Sequence, residues 1–192
     1  MLQRESVLKD KEMQNYNGID FKELLNVPKI NLRGQSSNKY FMKSVNTILN
    51  VLLPTESNTS NTNNDTKVMW LSPNEWLIQT LNENMFKEIF KNLQSTLNPE
   101  NTAVTDITEN RTILKISGHN VYILLAKFMV INLDQTLNKD NAVAQSLFLK
   151  VPVLLVRNNK DNEKPSIDIH INRSHANYIF NLLVDGTRNL DF

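Results

Sequence analysis

The sequence predicts an α+β fold, with mixed or antiparallel sheets and helices packed against them. Three observations carry that class. Apolar residues recur at helical spacing in several separate stretches, and short β-like runs bounded by turn formers lie between them. The two kinds of element interleave irregularly, with short hairpins in place of a repeating strand–helix–strand unit.

Residues 1–18, beginning MLQRESVLKD, read as a polar N-terminal arm that would be ordered only if a partner held it. A short apolar patch, Phe21 to Leu25, precedes INLRGQ (Ile30 to Gln35), a strand ending in a turn. From Ser37 to Leu53, Phe41, Val45, Ile48, Leu49 and Leu52 fall at helical spacing, with Ser36 or Ser37 as N-cap and Pro54 as the stop. The polar, Asn-rich run 55–66 has no apolar side chain to offer a core, which predicts a mobile surface loop inserted within a domain.

KVMWLSPNEWLIQT, Lys67 to Thr80, holds both tryptophans of the chain. Ser72-Pro73-Asn74-Glu75 suits a type I turn, so Val68–Leu71 and Trp76–Thr80 are predicted to pair as a hairpin. Aromatic residues on paired strands are ordinary sheet packing, and that reading is favoured over a ligand platform. Met85, Phe86, Ile89, Phe90, Leu93 and Leu97 form a helical stripe ended by Pro99. Thr102–Ile107 and Thr112–Ser117 are β-like, with Glu109-Asn110 as the turn of a hairpin. Ser117 to Phe128 reads as a helix capped by Ser117.

Ala144 to Arg157 reads as a strand in which Pro152 requires an edge, a bulge or a split into two. Ile167–Ile171 alternates with Asp168 and His170, the pattern of a half-exposed strand. Ser174 to Val184 is a helix with Gly186 as C-cap. The resulting organisation is an arm at 1–18, an α+β part at 19–110 containing the loop 55–66, and a second α+β part at 111–192.

Composition excludes several function classes. The chain has 192 residues, 40% of them hydrophobic, and its 21 basic and 20 acidic residues are spread along its length for a net charge of +1. It has no basic stripe for nucleic acid and no polybasic membrane-binding segment. No apolar run approaches the roughly 20 residues of a membrane span, and the N-terminus lacks the apolar core of a secretory signal, so a cytoplasmic protein is expected. With no cysteine, thiolate chemistry and disulfides are excluded. The 4 glycines, at 18, 34, 118 and 186, lie too far apart for a phosphate-binding loop or a nucleophile elbow.

Candidate chemistry is sparse. His170 and His175 end a strand and open a helix, which would bring them near each other, but no third ligand is evident and surface histidines are the favoured reading. His119 at a helix start is poorly placed for a cationic role. Asp106, Asp134 and Asp168 flank apolar segments without forming a pair of carboxylates at a defined spacing. Free N–H groups at Ser117-Gly118 would suit an anion, and a satisfied N-cap explains the same residues. No catalytic, cofactor-binding or metal-binding residue is assigned.

Several segments, taken in order, resemble the γ subunit family of heterotetrameric sarcosine oxidase. They are INLRG (Ile30–Gly34), VLLP (Val51–Pro54), WLSPNEWLI (Trp70–Ile78) and VTDITENRTILKISGHNVYILLAK (Val104–Lys127). AVAQSLFLKVPVLLVR (Ala142–Arg157) and IDIHINRSHANYIFNLLVDG (Ile167–Gly186) complete the series. The resemblance implies the aminomethyltransferase (T-protein)/YgfZ folate-binding fold. It also implies a non-catalytic structural γ subunit of a complex that demethylates sarcosine oxidatively to glycine and passes the one-carbon unit to tetrahydrofolate. FAD, FMN, NAD, tetrahydrofolate and zinc are implied on other subunits and none on this chain. The α subunit is the main implied partner, with β and δ completing the tetramer.

The chain departs from the family pattern in the Asn-rich stretch 57–66 and in KFMVINL, where a glycine is common. It also has Ala144 in place of a cysteine and His175 in place of an aromatic residue. Two other readings stand beside the first. One is a free-standing folate-binding or aminomethyltransferase-like protein that would use Asp106 or Asp134 to hold the pterin. The other is a binding module with Trp70 or Trp76 as its platform.

Overall fold

The computed structural model describes residues 5–161 and 163–190. The chain folds as two compact units, one from the described residues up to Asn26 together with those from Glu109 on, the other Val27–Thr108.

The Val27–Thr108 unit is a five-stranded sheet in the order β4-β5-β6-β3-β7, every neighbouring pair antiparallel. Its strands are β3 (Lys29–Arg33), β4 (Ser60–Thr62), β5 (Thr66–Ser72), β6 (Glu75–Thr80) and β7 (Ala103–Asp106). The predicted tryptophan hairpin is β5–β6, with Trp70 opposite Trp76 and a register irregularity between Trp70 and Ser72. Residues opposite each other share a face, so Ile30, Ile78 and Val68 form one row and Leu32 and Trp76 the next. Helices α1 (Lys39–Leu49) and α2 (Glu83–Thr96) cover those rows with Phe41, Val45, Phe86, Ile89 and Leu93.

Two expectations about α1 are corrected. Its N-cap is Asn38, whose side chain accepts from the Phe41 N–H at 3.1 Å. It ends at Asn50, in the left-handed region at φ 50°, well before Pro54. The Asn-rich run is not a detached loop either: it contains β4, and Ser60 and Thr66 are buried. Asn63 explains the difference. Its Oδ1 accepts from the N–H groups of Asp65 and Thr66, while its Nδ2 donates to the carbonyls of Leu49 and Asn50 at the end of α1. Amide groups bonded to backbone hold this segment without apolar side chains.

The other unit is a six-stranded antiparallel sheet in the order β1-β2-β8-β11-β10-β9. Its strands are β1 (Asn15–Tyr16), β2 (Ile19–Leu24), β8 (Arg111–Gly118), β9 (Val143–Phe148), β10 (Val151–Arg157) and β11 (Ser166–Asn172). Helices α3 (Val121–Ala126), α4 (Leu133–Thr136) and α5 (Ala176–Gly186) supply Val121, Leu124, Leu133, Ile179 and Leu183 to its core. The predicted strand across Pro152 is two strands, β9 and β10, turning at Leu149-Lys150. Pro152 lies in the part of β10 that pairs with β9 alone, so its missing N–H removes no bond to β11.

Four further expectations change here. β7 and β8 do not form a hairpin, because β7 pairs with β3 in one unit and β8 with β2 and β11 in the other. The residues from Ile19 to Leu24 join the C-terminal part of the chain instead of the part at 27–108. β11 is central and buried on both faces, not half-exposed. The N-terminal arm is held by its own chain: Leu8 is buried in the core, and Arg173 and Asn177 donate to the carbonyls of Glu5 and Val7. Glu23 accepts from Ser6 and from Thr112, tying the arm to the sheet. Asn17-Gly18, both at positive φ, forms the two-residue turn of the β1–β2 hairpin.

Gly118 is irreplaceable on two counts. Its φ of 146° is outside the range of L side chains, and a Cβ there would collide with the Gly18 carbonyl oxygen. Gly118→Ala is expected to destabilise the chain by about 1–3 kcal/mol. Thermal unfolding measures it, and a wild-type melting temperature would refute the steric account.

Candidate functional site

The residues singled out from sequence do not converge. His170 is buried in mid-strand on the face of its sheet opposite the helices, between Ile113 and Leu154 in register. His175 is exposed in a single 3-10 turn (Arg173–His175), so the two histidines point to different environments. His119 is exposed in the connection from β8 to α3. Among the described residues, no group of three metal-ligating side chains is gathered.

The acids are dispersed as well. Asp106 is exposed at the end of β7, where its Oδ1 accepts from the Thr108 N–H at 2.9 Å. Asp134 is exposed in the first turn of α4. Asp168 is buried in β11 in the row Lys22–Lys115–Asp168–Val156. Ser117 and Gly118 belong to β8, and α3 starts three residues later behind Asn120, which makes no side-chain cap bond. The expected N-cap role of Ser117 is therefore corrected, since Ser117 is a strand residue, and a six-residue helix with that start does not provide the alternative anion site either.

Trp76 is fully buried, its ring 5.7 Å from that of Phe41 and its Nε1–H donating to the Pro54 carbonyl at 2.8 Å. That hydrogen bond and the packing identify a core residue. Trp70, across the hairpin, is half-buried.

A polar centre that the sequence did not announce sits in the larger sheet. Arg157 is 1% exposed, facing the helices at the end of β10. Its Nε donates to the backbone and side-chain oxygens of Asn159, its Nη2 to the Asp161 carbonyl, and its Nη1 to the Tyr122 hydroxyl and the Leu137 carbonyl. Tyr122 in turn donates to Leu137 O at 2.8 Å. Burial raises the Tyr122 phenol above its ordinary value, with the nearby guanidinium pulling it back down. These acceptors are neutral oxygens on loops and a helix, which fits a centre of architecture. Its one sequence hint is a lone arginine ending the apolar run VLLVR.

The feature with the character of an interaction site is an apolar groove of about 580 Å³ between the segment after α3 and the β9–β10 hairpin. Phe128 forms its floor, stacked on Phe148 with ring centroids 4.8 Å apart. The Leu149 N–H donates to Phe128 O at 2.8 Å, and Lys127 Nζ donates to Gly186 O at 2.8 Å, fixing the segment to the hairpin and to the end of α5. Three large apolar side chains then stand in solvent around it: Val130, Leu147 and Leu149. Two lysines, Lys127 and Lys150, complete the rim. Sequence reasoning missed the groove because its two walls are about twenty residues apart in the chain.

No helix among the described residues is long and apolar enough to cross a membrane. No protein of curated function matches the chain by sequence. Among solved structures, the chain is similar to one in the heterotetrameric sarcosine oxidase from Corynebacterium sp. U-96 in complex with pyrrole 2-carboxylate. The TM-score is 0.86 at 20% identity, covering 97% of this chain and 96% of that one. It is also similar to the glycine cleavage system aminomethyltransferase T from Bartonella henselae, with a TM-score of 0.62 at 11% identity over 93% of this chain. This chain spans about half of that protein, 48% of its length. The two-unit α+β fold is therefore shared with the aminomethyltransferase. The sequence pattern of the sarcosine oxidase, gamma subunit family matches residues 33–189, more than half of the chain, and the chain belongs to that family.

Proposed function

We propose that this chain is a non-catalytic, structural γ subunit of a complex of the sarcosine oxidase type. The complex would demethylate sarcosine oxidatively to glycine and transfer the one-carbon unit to tetrahydrofolate. FAD, FMN, NAD, tetrahydrofolate and zinc would be carried by its other subunits, with α as the main partner of this chain and β and δ completing the assembly. The observation that carries the reading is the family match over residues 33–189. The dispersed titratable groups and the exposed apolar groove agree with a role in assembly. The alternative of a free-standing folate-binding protein draws on the fold shared with the aminomethyltransferase. Its nominated acids speak against it: Asp106 and Asp134 are exposed, one in each unit.

The test is recovery of the tagged full-length chain from its native cells. A yellow eluate with larger subunits, oxidising sarcosine, is the expected result. A colourless chain that emerges alone, folded and binding tetrahydrofolate, would overturn the reading in favour of the alternative.

A further inference from the structure

The β1–β2 turn sets an asparagine directly before a glycine, the one such pair in the sequence, since Gly34, Gly118 and Gly186 follow Arg33, Ser117 and Asp185. An Asn-Gly pair can modify itself. The carboxamide of the asparagine is one five-membered ring away from the next residue's amide nitrogen, and a glycine there has no Cβ to block the approach. Asn17 and Gly18 are both exposed, so water reaches the turn.

In the closed hairpin each reacting group is held elsewhere. The Gly18 N–H donates to Asn15 Oδ1 at 2.9 Å, and Asn15 Nδ2 donates in turn to Asp20 Oδ1 at 2.8 Å. The Asn17 carboxamide reaches away from its own backbone, with Nδ2 donating to the Thr187 carbonyl just beyond α5. Asn17 and Gly18 sit at φ 48° and 80°, as the two-residue turn requires. Attack therefore needs a local opening in which Gly18 leaves Asn15 and Asn17 turns back from Thr187.

We propose that Asn17-Gly18 is a self-modification site gated by the β1–β2 hairpin, held back while the hairpin is closed and converted when it opens. The Gly18 nitrogen forms a bond to Asn17 Cγ, the Cγ–Nδ2 bond breaks, and Nδ2 leaves as ammonia with the proton given up by Gly18. Water then adds to one carbonyl of the cyclic imide and opens it, giving an aspartate or a β-linked isoaspartate at position 17. Water is the one reagent consumed.

The products do not restore the closed turn. An aspartate sets a carboxylate against the Thr187 carbonyl, where Nδ2 had donated. An isoaspartate lengthens the backbone by a methylene, and a two-residue turn then no longer joins β1 and β2 in register. The Gly18 carbonyl oxygen already packs so closely on Gly118 that a Cβ there would collide with it, which leaves the turn no room to shift toward β8. Conversion is thus a one-way record that the N-terminal hairpin has opened, and it is independent of the subunit reading.

The test incubates the purified full-length chain in mildly alkaline buffer, folded or in urea, and follows the tryptic peptide 12–22 by mass spectrometry with fragmentation. Conversion is expected at position 17 and not at Asn15. It should be at least about tenfold slower in the folded chain, the factor for two hydrogen bonds that must break first. Asn15→Ala, which removes the acceptor of the Gly18 N–H, is expected to speed conversion in the folded chain and to leave the rate in urea unchanged. Asp20→Ala frees Asn15 from the other side, should act in the same direction, and serves if Asn15→Ala does not fold. Asn17→Asp is expected to lower the melting temperature by about 2–4 °C. Equal rates in the two conditions, or no acceleration in the folded variants, would overturn the gate. An unmodified position 17 in urea would overturn the site itself, and a wild-type melting temperature for Asn17→Asp would overturn the one-way record.

Discussion

Trp76→Ala is expected to lower the stability of the chain by about 3–5 kcal/mol, the range for truncating a buried aromatic side chain. The indole is enclosed by Phe41 and the rows of β3 and β6, so the surrounding residues cannot collapse into the space without moving the sheet. A second loss adds to the cavity. The Pro54 carbonyl accepts from the indole N–H at a buried position, and without that donor it is left unsatisfied. Trp76→Phe separates the two terms, because it keeps most of the apolar volume and removes the donor. It should recover more than half of the alanine deficit. Trp70→Ala, at the half-buried position opposite, is expected to cost about 1 kcal/mol, close to the average for point mutations. Urea unfolding followed by far-UV circular dichroism measures all three. Equal losses at Trp70 and Trp76 would mean that burial does not set the difference between the two positions.

Arg157→Met is the second large effect, at roughly 3 kcal/mol. Methionine matches the apolar stem and removes the guanidinium, so the acceptors on Leu137, Asn159 and Asp161 lose their donor together. Leu137 is buried and its carbonyl retains the Tyr122 hydroxyl, while the exposed Asp161 regains water. The loss is therefore concentrated at the α3–α4 side of the centre. Arg157→Lys is expected to give no rescue, because an ammonium lacks the planar fork that reaches three backbone carbonyls at once. Thermal unfolding gives the size of the effect, and faster hydrogen exchange in α3 and α4 gives its location. If lysine restores wild-type stability, charge and not geometry holds the centre.

Local chemistry made a large part of this architecture legible. The β5–β6 hairpin followed from Ser72-Pro73-Asn74, and α2 and α5 from their apolar spacing, because turn residues and helical periodicity act over a few positions. The β1–β2 hairpin was legible in the same way. Asn17-Gly18 is a strong short-range turn signal, overlooked inside a segment that reads as a polar arm. Asn63 was harder, since its amide could bond to backbone only where α1 ends and β5 begins beside it.

What needed tertiary structure was the choice of partner. Thr102–Ile107 and Thr112–Ser117 are both β-like in sequence, and nothing local says that one pairs with β3 and the other with β2 and β11. Alternation in β11 read as half-exposed because Asp168 and His170 are polar, yet burial depends on what lies over a strand and not on the strand itself. The groove has the same origin: Phe128 and Phe148 stack across twenty residues of chain, and Val130, Leu147 and Leu149 share a surface only because they do. The sequence by itself determined the elements, the class and the family pattern, because propensity and motif are properties of neighbouring residues. The tertiary structure alone decided which strands pair, which polar groups are buried and where apolar surface is left in water, because those depend on contacts between residues far apart in the chain.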